Sequence, residues 1–98
     1  MIKINISKDK IIIKGHAEYD EKGKDIVCAA VSTIVTTSVN AILRFDKEAI
    51  TYLDNDGYLE INILKHSKEV DILISNMLDL LEELENDYKK YIKINREV

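Results

Sequence analysis

The sequence predicts an α+β domain in which two helices pack against a small, mostly antiparallel sheet. Two patterns support this fold class. Short β-branched segments separated by polar turns occur in two pairs, and a longer segment with the three- and four-residue periodicity of a helix follows each pair. The 98 residues are enough for one modest core and too few for two. The predicted element order is therefore ββαββα, with a possible strand at the end of the chain.

The first predicted hairpin lies at the beginning of the chain. Its strands are "IKINI" (Ile2 to Ile6) and "IIIK" (Ile11 to Lys14), which flank the polar turn "SKDK". Residues 15–24 follow and combine Gly15 and Gly23 with alternating charges and few apolar side chains. This composition predicts an exposed loop.

The first helix is predicted from Asp25 to about Phe45. Apolar and small residues recur there at three- and four-residue intervals, at Val27, Val31, Ile34, Ser38, Ala41, Ile42 and Phe45. A second hairpin follows, with "AITYL" and "YLEINIL" on either side of "DNDG". The Asp56-Gly57 pair favours a tight hairpin turn, because glycine tolerates a positive φ.

The second helix is predicted from Ser67, as the N-cap, to about Lys89. Its apolar stripe consists of Val70, Leu73, Ile74, Met77, Leu80, Leu81, Leu84 and Tyr88. Ile72 and Leu78 fall outside this stripe, and such remaining apolar side chains predict a partner surface and hence a homodimer. For the final "YIKINREV" we favour a short strand over a fraying helix end.

The composition argues against several classes of protein. Hydrophobic residues make up 46% of the chain and charged residues 33%, as in ordinary soluble globular proteins. The net charge of -4 and the scattered lysines predict no direct nucleic-acid binding, because neutralising phosphates needs concentrated Lys and Arg. We expect no membrane span, which needs an apolar run of roughly 20 residues. A single cysteine and an N-terminus without the apolar core of a signal peptide predict a cytoplasmic protein.

The only cysteine of the chain falls near the predicted start of the first helix. If Asp25 is the N-cap, Cys28 is the third helical residue, where unpaired N–H groups and the helix dipole favour a thiolate. The loop is long enough to bring His16 to Cys28 as a base or an imidazolium partner. Ser32, one turn later, would share the face of Cys28, and N–H groups at the helix start would hold an oxyanion.

A simpler interpretation of these residues is also open. Free cysteines are among the most buried residue types, and a cysteine among apolar neighbours more often packs in a core than reacts. Asp25 has a sufficient role as a helix cap, and Gly15 and Gly23 as turn residues. A solvated loop surface is the simplest role for the acidic side chains Glu18, Asp20 and Glu21.

Two segments of the chain together resemble the signature of the ribosomal-processing cysteine protease family, often called Prp. They are "GHA" at residues 15–17 and "GKDIVCAAVS" at residues 23–32. The resemblance is dense from Gly15 to Ser32. Elsewhere the chain is similar to the family only in its length, its predicted element order and its acidic second helix.

The resemblance implies a dimeric protease that removes a short N-terminal extension from the twenty-seventh large-subunit ribosomal protein. By position, it implies Cys28 as the nucleophile and His16 as the general acid and base, with Asp25 and Ser32 in supporting roles. It also implies that residues 15–24 form a mobile loop that orders over the substrate. In this family the extension has an apolar and aromatic run, followed beyond the cut by basic residues. Such residues would be attracted by the loop carboxylates Glu18, Asp20 and Glu21.

Two other classes of function remain open at this stage. One is a non-enzymatic ribosome-assembly or adaptor protein with a buried structural Cys28, whose thiol would label slowly. The other is a thiol-based redox sensor, although the chain has no second cysteine to resolve an oxidised Cys28. We predict no metal site and no cofactor, because His16 and His66 stand far apart in the sequence without a cluster of ligands around them.

Overall fold

The computed structural model describes residues 1–15, 22–55 and 57–97, and for residues 22–25 it describes the backbone alone. Its elements are β1 (Ile2–Ile6), β2 (Lys10–Lys14), α1 (Lys22–Phe45), β3 (Ile50–Asn55), β4 (Tyr58–Ile63), α2 (Lys68–Asp87) and β5 (Ile92–Arg96). The predicted α+β class is confirmed, as are both hairpins, both helices and the favoured C-terminal strand.

Within the described residues, five strands form one sheet in the order β3-β4-β2-β1-β5. The pairs β3–β4, β4–β2 and β2–β1 are antiparallel, and β5 lies parallel to β1. A parallel neighbour needs a long crossover connection, and α2 belongs to the segment that returns the chain to β1. The first and last elements of the chain are therefore hydrogen-bonded neighbours, while β3 and β5 are the two edges.

One face of the sheet carries the core. In β1, buried isoleucines alternate with polar residues, and in β2 the buried Ile11 and Ile13 flank Ile12 on the other face, so that one side of each strand is buried. The helices supply the other half of the core, with Val27, Val31, Val35, Val39 and Ile42 from α1 and Val70, Ile74, Met77, Leu78 and Leu81 from α2. The two helices also pack against each other, so the domain has two layers.

The opposite face of the sheet is polar and brings lysines together. Lys3 on β1 stands directly opposite Lys14 on β2 and Lys93 on β5. All three side chains are exposed, and directly paired residues project from the same face. Among the described residues none of the three makes an ion pair. Lysines that are scattered in the sequence thus form a row across three adjacent strands.

The predicted start of the first helix is wrong. Helix α1 begins at Lys22, three residues before the predicted N-cap Asp25. Lysine is a good helix former and a single glycine costs only about 1 kcal/mol, so Gly23 does not stop the helix from extending upstream. Of the predicted loop 15–24, residues 22–24 are therefore helical, and residues 16–21 lie outside the described part of the chain.

The expectation that no run is apolar enough to span a membrane also needs correction. Residues Ile26–Phe45 are long and apolar enough to do so by length and composition alone. The core helix of a soluble protein passes the same test. Here, one side of this helix packs on the sheet through Val31 and Val35, while Thr33 and Thr36 are exposed. The buried apolar side chains of the helix thus form part of the core, while Ile26 and Phe45 are exposed.

Helix α2 begins as predicted, but two of its apolar residues were misassigned, because Leu78 is buried and Leu80, which was predicted on the core stripe, is exposed. The Ser67 side chain accepts a hydrogen bond from the Val70 backbone N–H at 3.1 Å, as an N-cap does. Leu78 is 9% exposed and belongs to the core, so it is not part of an unused surface. Ile72 is 56% exposed, as its position outside the stripe predicts. The buried surface of α2 extends to Leu78 and not to Leu80, because the helix packs against both α1 and β5.

Candidate active site

A pocket opens at one end of the sheet, beside the first turns of α1 that carry the cysteine. Its volume is about 240 Å³. Sheet residues from four strands and residues from α1 line it, namely Ile2, Ile13, Gly15, Cys28, Val31, Ser32, Asp54, Asn55, Gly57, Tyr58 and Leu59. The pocket has both polar and apolar walls, which suits a peptide, whose backbone is polar and whose side chains vary.

Cys28 lies at the border between the core and this pocket. Its neighbour Val27 is fully buried and its neighbour Ala29 is exposed, while Cys28 itself is half-buried and packs against the edge of the core. Ser32 is exposed and lines the same pocket. The four-residue spacing on a helix therefore brings Cys28 and Ser32 to one site, as the sequence predicts. The thiol is a free cysteine that faces a cavity.

The earlier helix start changes the electrostatics expected around the thiol. Cys28 is the seventh residue of α1, whereas the unpaired N–H groups of a helix belong to its first four residues. At a rise of about 1.5 Å per residue, those groups lie roughly 5 to 9 Å along the axis from Cys28. The influence of the helix dipole falls off within the first turn, so it contributes little to a thiolate at this position.

Gly15 forms the wall of the pocket where β2 ends. Its φ of +104° is accessible mainly to glycine, and a Cβ atom there would collide with the carbonyl oxygen of Met1. The Gly15 N–H donates a 3.0 Å hydrogen bond to the carbonyl oxygen of Gly57, in the β3–β4 turn. The end of β2 is thereby hydrogen-bonded to the β3–β4 turn and lies close to the Met1 backbone, at the residue that precedes His16.

Several predicted site residues lie outside the described part of the chain. They are His16, Glu18, Asp20 and Glu21, and the side chain of Asp25 is likewise not described. Gly23 is part of the α1 backbone. The structure thus brings together Gly15, Cys28 and Ser32, which are the described members of the predicted site.

The structure adds residues that the sequence argument did not consider. Asp54 and Asn55 at the end of β3, and Tyr58 at the start of β4, line the pocket that contains Cys28. In the sequence they were assigned only to a hairpin and its turn. The available signal was the alternation along β3, where Ile50 and Tyr52 face the helices and Asp54 is the next residue in that series.

Tyr52 lies beneath this wall of the pocket. Its hydroxyl oxygen is buried and has no hydrogen bond of acceptable geometry to any described residue. Burial is the main reason that the pKa of Tyr52 is raised; the Thr36 side chain opposes this shift, and the negative charge of Asp54 adds to it. The hydroxyl thus stays protonated and is held between α1 and the end of β3.

A second tyrosine, Tyr58, lines the pocket and is held by residues outside it. The Tyr58 hydroxyl donates a 2.6 Å hydrogen bond to Glu60, whose other carboxylate oxygen accepts one from Asn62 at 2.8 Å. The hydrogen bond to Glu60 raises the pKa of Tyr58, and the same bond lowers the pKa of Glu60. The Lys14 ammonium lies 5.9 Å from the centre of the Tyr58 ring. These contacts order the side chain at the mouth of the pocket.

Comparison with known proteins assigns the chain to a family. A family model described as cysteine protease Prp matches residues 1–93. The ribosomal processing cysteine protease Prp of Mycoplasma genitalium is 35% identical over 99 residues, covering 99% of this chain and 97% of that protein. The protein of the same name from Staphylococcus aureus strain Mu50 is 36% identical over 88 residues, covering 87% of this chain and 83% of that protein.

Solved structures are similar over the whole length. The S. aureus ribosomal processing protease Prp in complex with a substrate peptide superimposes with a TM-score of 0.91 at 29% identity, covering 99% of this chain and all of that one. The same enzyme with a covalently linked product peptide gives a TM-score of 0.88 at 30% identity, with the same coverage. An α+β chain with these relatives and a pocket-lining thiol is a cysteine protease. It belongs to the cysteine protease Prp family.

This assignment decides between the classes that the sequence left open. The curated relatives and the family model name a protease, so the non-enzymatic adaptor is not supported. The half-buried, pocket-lining position of Cys28 also differs from that of a thiol enclosed in a core.

Proposed function

We propose that this chain removes the short N-terminal extension of the twenty-seventh large-subunit ribosomal protein during ribosome maturation. The observation that carries the proposal is the position of Cys28, half-buried at the wall of an open pocket, in a chain of the cysteine protease Prp family. The names of the curated relatives, which describe ribosomal processing, support the substrate class. The complex of a relative with a substrate peptide supports a peptide as ligand.

The proposed chemistry is acyl transfer from the peptide to the thiol. His16 takes the thiol proton, and the Cys28 sulfur attacks the scissile carbonyl carbon to give a tetrahedral oxyanion. The oxyanion collapses, the C–N bond breaks, and the His16 imidazolium gives its proton to the leaving amine. Water, deprotonated by His16, then attacks the thioester and releases the acid and the free thiol. The relative with a covalently linked product peptide is compatible with such a covalent step.

Ser32 and Asp25 have supporting roles in this proposal. The Ser32 hydroxyl is exposed to the pocket one turn from Cys28 and is suited to donate a hydrogen bond to the oxyanion or to the substrate. In proteases where such a donor hydrogen-bonds the oxyanion directly, its removal lowers kcat by about 100- to 1,000-fold. A Ser32→Ala enzyme with normal kcat would exclude that role. An Asp25→Asn enzyme with normal activity would likewise exclude the idea that Asp25 orients His16.

The loop around residues 15–24 is proposed to close over the substrate. Gly15 holds the end of β2 at the pocket, and Gly23 lies in the backbone of the helix that carries Cys28. The carboxylates of Glu18, Asp20 and Glu21 would attract basic residues beyond the cut. Replacing all three with amides should lower kcat/KM at low salt, and an unchanged value would remove the support for this role.

We further propose a homodimer that acts in the cytoplasm. Ile72 and Leu80 on α2 are exposed, at 56% and 39%, and apolar side chains on one helix surface favour a partner. Light scattering should give twice the mass of the chain, and Ile72→Lys should shift it towards the monomer. A wild-type monomer at micromolar concentration would contradict the dimer.

A ribosomal-protein substrate and the single cysteine both suit a reducing cytoplasm.

The experiment for the proposed function is a cleavage assay on the extended ribosomal protein of the same organism. The protein is incubated with wild type, Cys28→Ala or His16→Ala, and the products are weighed by mass spectrometry. We expect one cut by wild type, near the N-terminus, that both variants lose. If wild type leaves the ribosomal protein intact but cleaves another protein in a Cys28-dependent way, the substrate assignment is wrong. If Cys28→Ala still cuts, the nucleophile is wrong.

A further inference from the structure

Asp54 is an acidic residue on the side of the sheet that otherwise forms the core. Along β3, Ile50 is buried and Tyr52 is half-buried, and their partners on β4 are Ile63 and Ile61. Asp54 comes next in this alternation and stands opposite Leu59. Since residues two apart in a strand share a face, Asp54 belongs to the helix-facing side. It is the point at which the apolar series ends and the pocket begins.

The same pocket contains the nucleophile. Asp54 from β3 and Cys28 from α1 both line the 240 Å³ cavity, although they are distant in sequence. The Asp54 carboxylate lies near the Tyr52 hydroxyl, which is buried beneath it. In the described part of the chain no Lys, Arg or His lies within 4.0 Å of Asp54. Among the described residues, no cation therefore balances the negative charge that Asp54 presents to the cavity.

We propose that Asp54 is a specificity residue that binds a positively charged side chain of the substrate next to the scissile bond. Asp54 is exposed and lines the cavity, so an ammonium or guanidinium group of a bound peptide can reach it. A bound peptide that excludes water from the pocket would strengthen this attraction, because the effective dielectric would fall. The two carboxylate oxygens suit the paired N–H groups of arginine or one ammonium of lysine. Asp54 would thus add a negative charge to the recognition that we propose for the loop carboxylates.

The inference rests on the proposed peptidase function, and it can be tested separately through binding. Two peptides carry the same sequence and differ only in whether the residues just beyond the cut are lysine or glutamine. They are titrated by fluorescence anisotropy into the uncleaving Cys28→Ala protein, with and without Asp54→Asn. Asp87→Asn is the matched control, because Asp87 is exposed at the end of α2 and lies outside the pocket.

We expect the lysine peptide to bind more tightly than the glutamine peptide. Asp54→Asn should weaken binding of the lysine peptide about fivefold. The glutamine peptide should change less than twofold, and Asp87→Asn should change neither. Asp54→Lys should reverse the preference in favour of a glutamate peptide. In the cleaving enzyme, the loss should appear in KM with little change in kcat, and it should shrink as salt is added.

Other results would overturn the proposal. Equal losses of affinity for the lysine and glutamine peptides would mean that Asp54 supports the structure of the protein and does not recognise the charge of the substrate. Unchanged binding of both peptides would mean that Asp54 does not contact the substrate. These failures are distinct from failure of the proposed function, in which the wild-type enzyme would bind the peptides without cutting either of them.

Discussion

The Nε2 atom of His66 lies 2.6 Å from a carboxylate oxygen of Asp9, a residue 57 positions earlier in the chain. On the other side of the ring, Nδ1 lies 2.8 Å from a carboxylate oxygen of Asp71, in the first turn of α2. One imidazole thus joins the β1–β2 turn to the start of a helix. Both ring nitrogens can donate at once only when the ring is protonated. The bridge therefore requires the imidazolium form.

The first prediction is that the contribution of His66 to stability depends on pH. The hydrogen bond to Asp9, and then that to Asp71, raise the pKa of His66 above its ordinary value of 6.5. When the pKa of a group is higher in the folded state than in the unfolded state, its protonated form stabilises the fold. This stabilisation is complete at pH values below the unfolded-state pKa and is lost as the pH rises through the folded-state pKa. We expect His66→Gln to lower the free energy of unfolding at pH 6 and to have a smaller effect at pH 9, in urea denaturation. An equal effect at both pH values would contradict the bridge.

The second prediction concerns the backbone at Gly15. An L-residue there must adopt a φ of +104° and place its Cβ against the carbonyl of Met1. We expect Gly15→Asn to lower the free energy of unfolding by about 1–3 kcal/mol. Gly57→Asn is the matched control, since its φ of +74° lies close to the left-handed region that asparagine tolerates. Equal losses for the two variants in thermal unfolding would show that the close approach to Met1 has no cost.

The third prediction concerns the lysine row of the outer sheet face. Like charges directly opposite each other on neighbouring strands are destabilising, and Lys3 has such a neighbour on both sides. Lys3→Thr should therefore raise the free energy of unfolding by about 0.5 kcal/mol at low salt. The gain should shrink at 0.5 M salt, because exposed charges are screened. An equal gain for Lys47→Thr, outside the sheet, would show that the row is not the cause.

The fourth prediction concerns the accessibility of the thiol. Cys28 is the only cysteine and lines an open pocket, so a small disulfide reagent should label the native protein at one thiol per chain. The rate should lie within about tenfold of that of the unfolded protein in urea. Labelling that occurs only after unfolding would place the thiol in the core instead. Cys28→Ser should not label under either condition.

Much of the fold could be predicted because its signals are local. Neighbouring residues alone indicate the isoleucine-rich strands β1 and β2, the Asp56-Gly57 turn and the Ser67 cap. The parallel pairing of β5 with β1 could not be predicted in this way, since it joins the two ends of the chain. The lysine row was missed for the same reason, because only the sheet register brings Lys3 beside Lys93.

The site was predicted in part. The four-residue spacing of Cys28 and Ser32 correctly indicated a shared face, since α1 is regular there. The position of Cys28 relative to the helix start was wrong, because Gly23 was taken as a loop residue and is helical. Asp54 was missed because "DNDG" served only as a turn signal. Asp54 lines the pocket only because α1 packs over the end of β3, and no local sequence pattern predicts that packing.

The central claim is that Cys28 forms a covalent acyl-enzyme during peptide cleavage. The most direct measurement is the intact mass of the enzyme, mixed with a substrate peptide and quenched in acid within the first turnover. We expect a mass increase equal to the acyl fragment of the peptide, localised to Cys28 by digestion and absent in Cys28→Ala. Complete cleavage by wild type with no mass increase at any quench time, together with cleavage by Cys28→Ala, would contradict the claim.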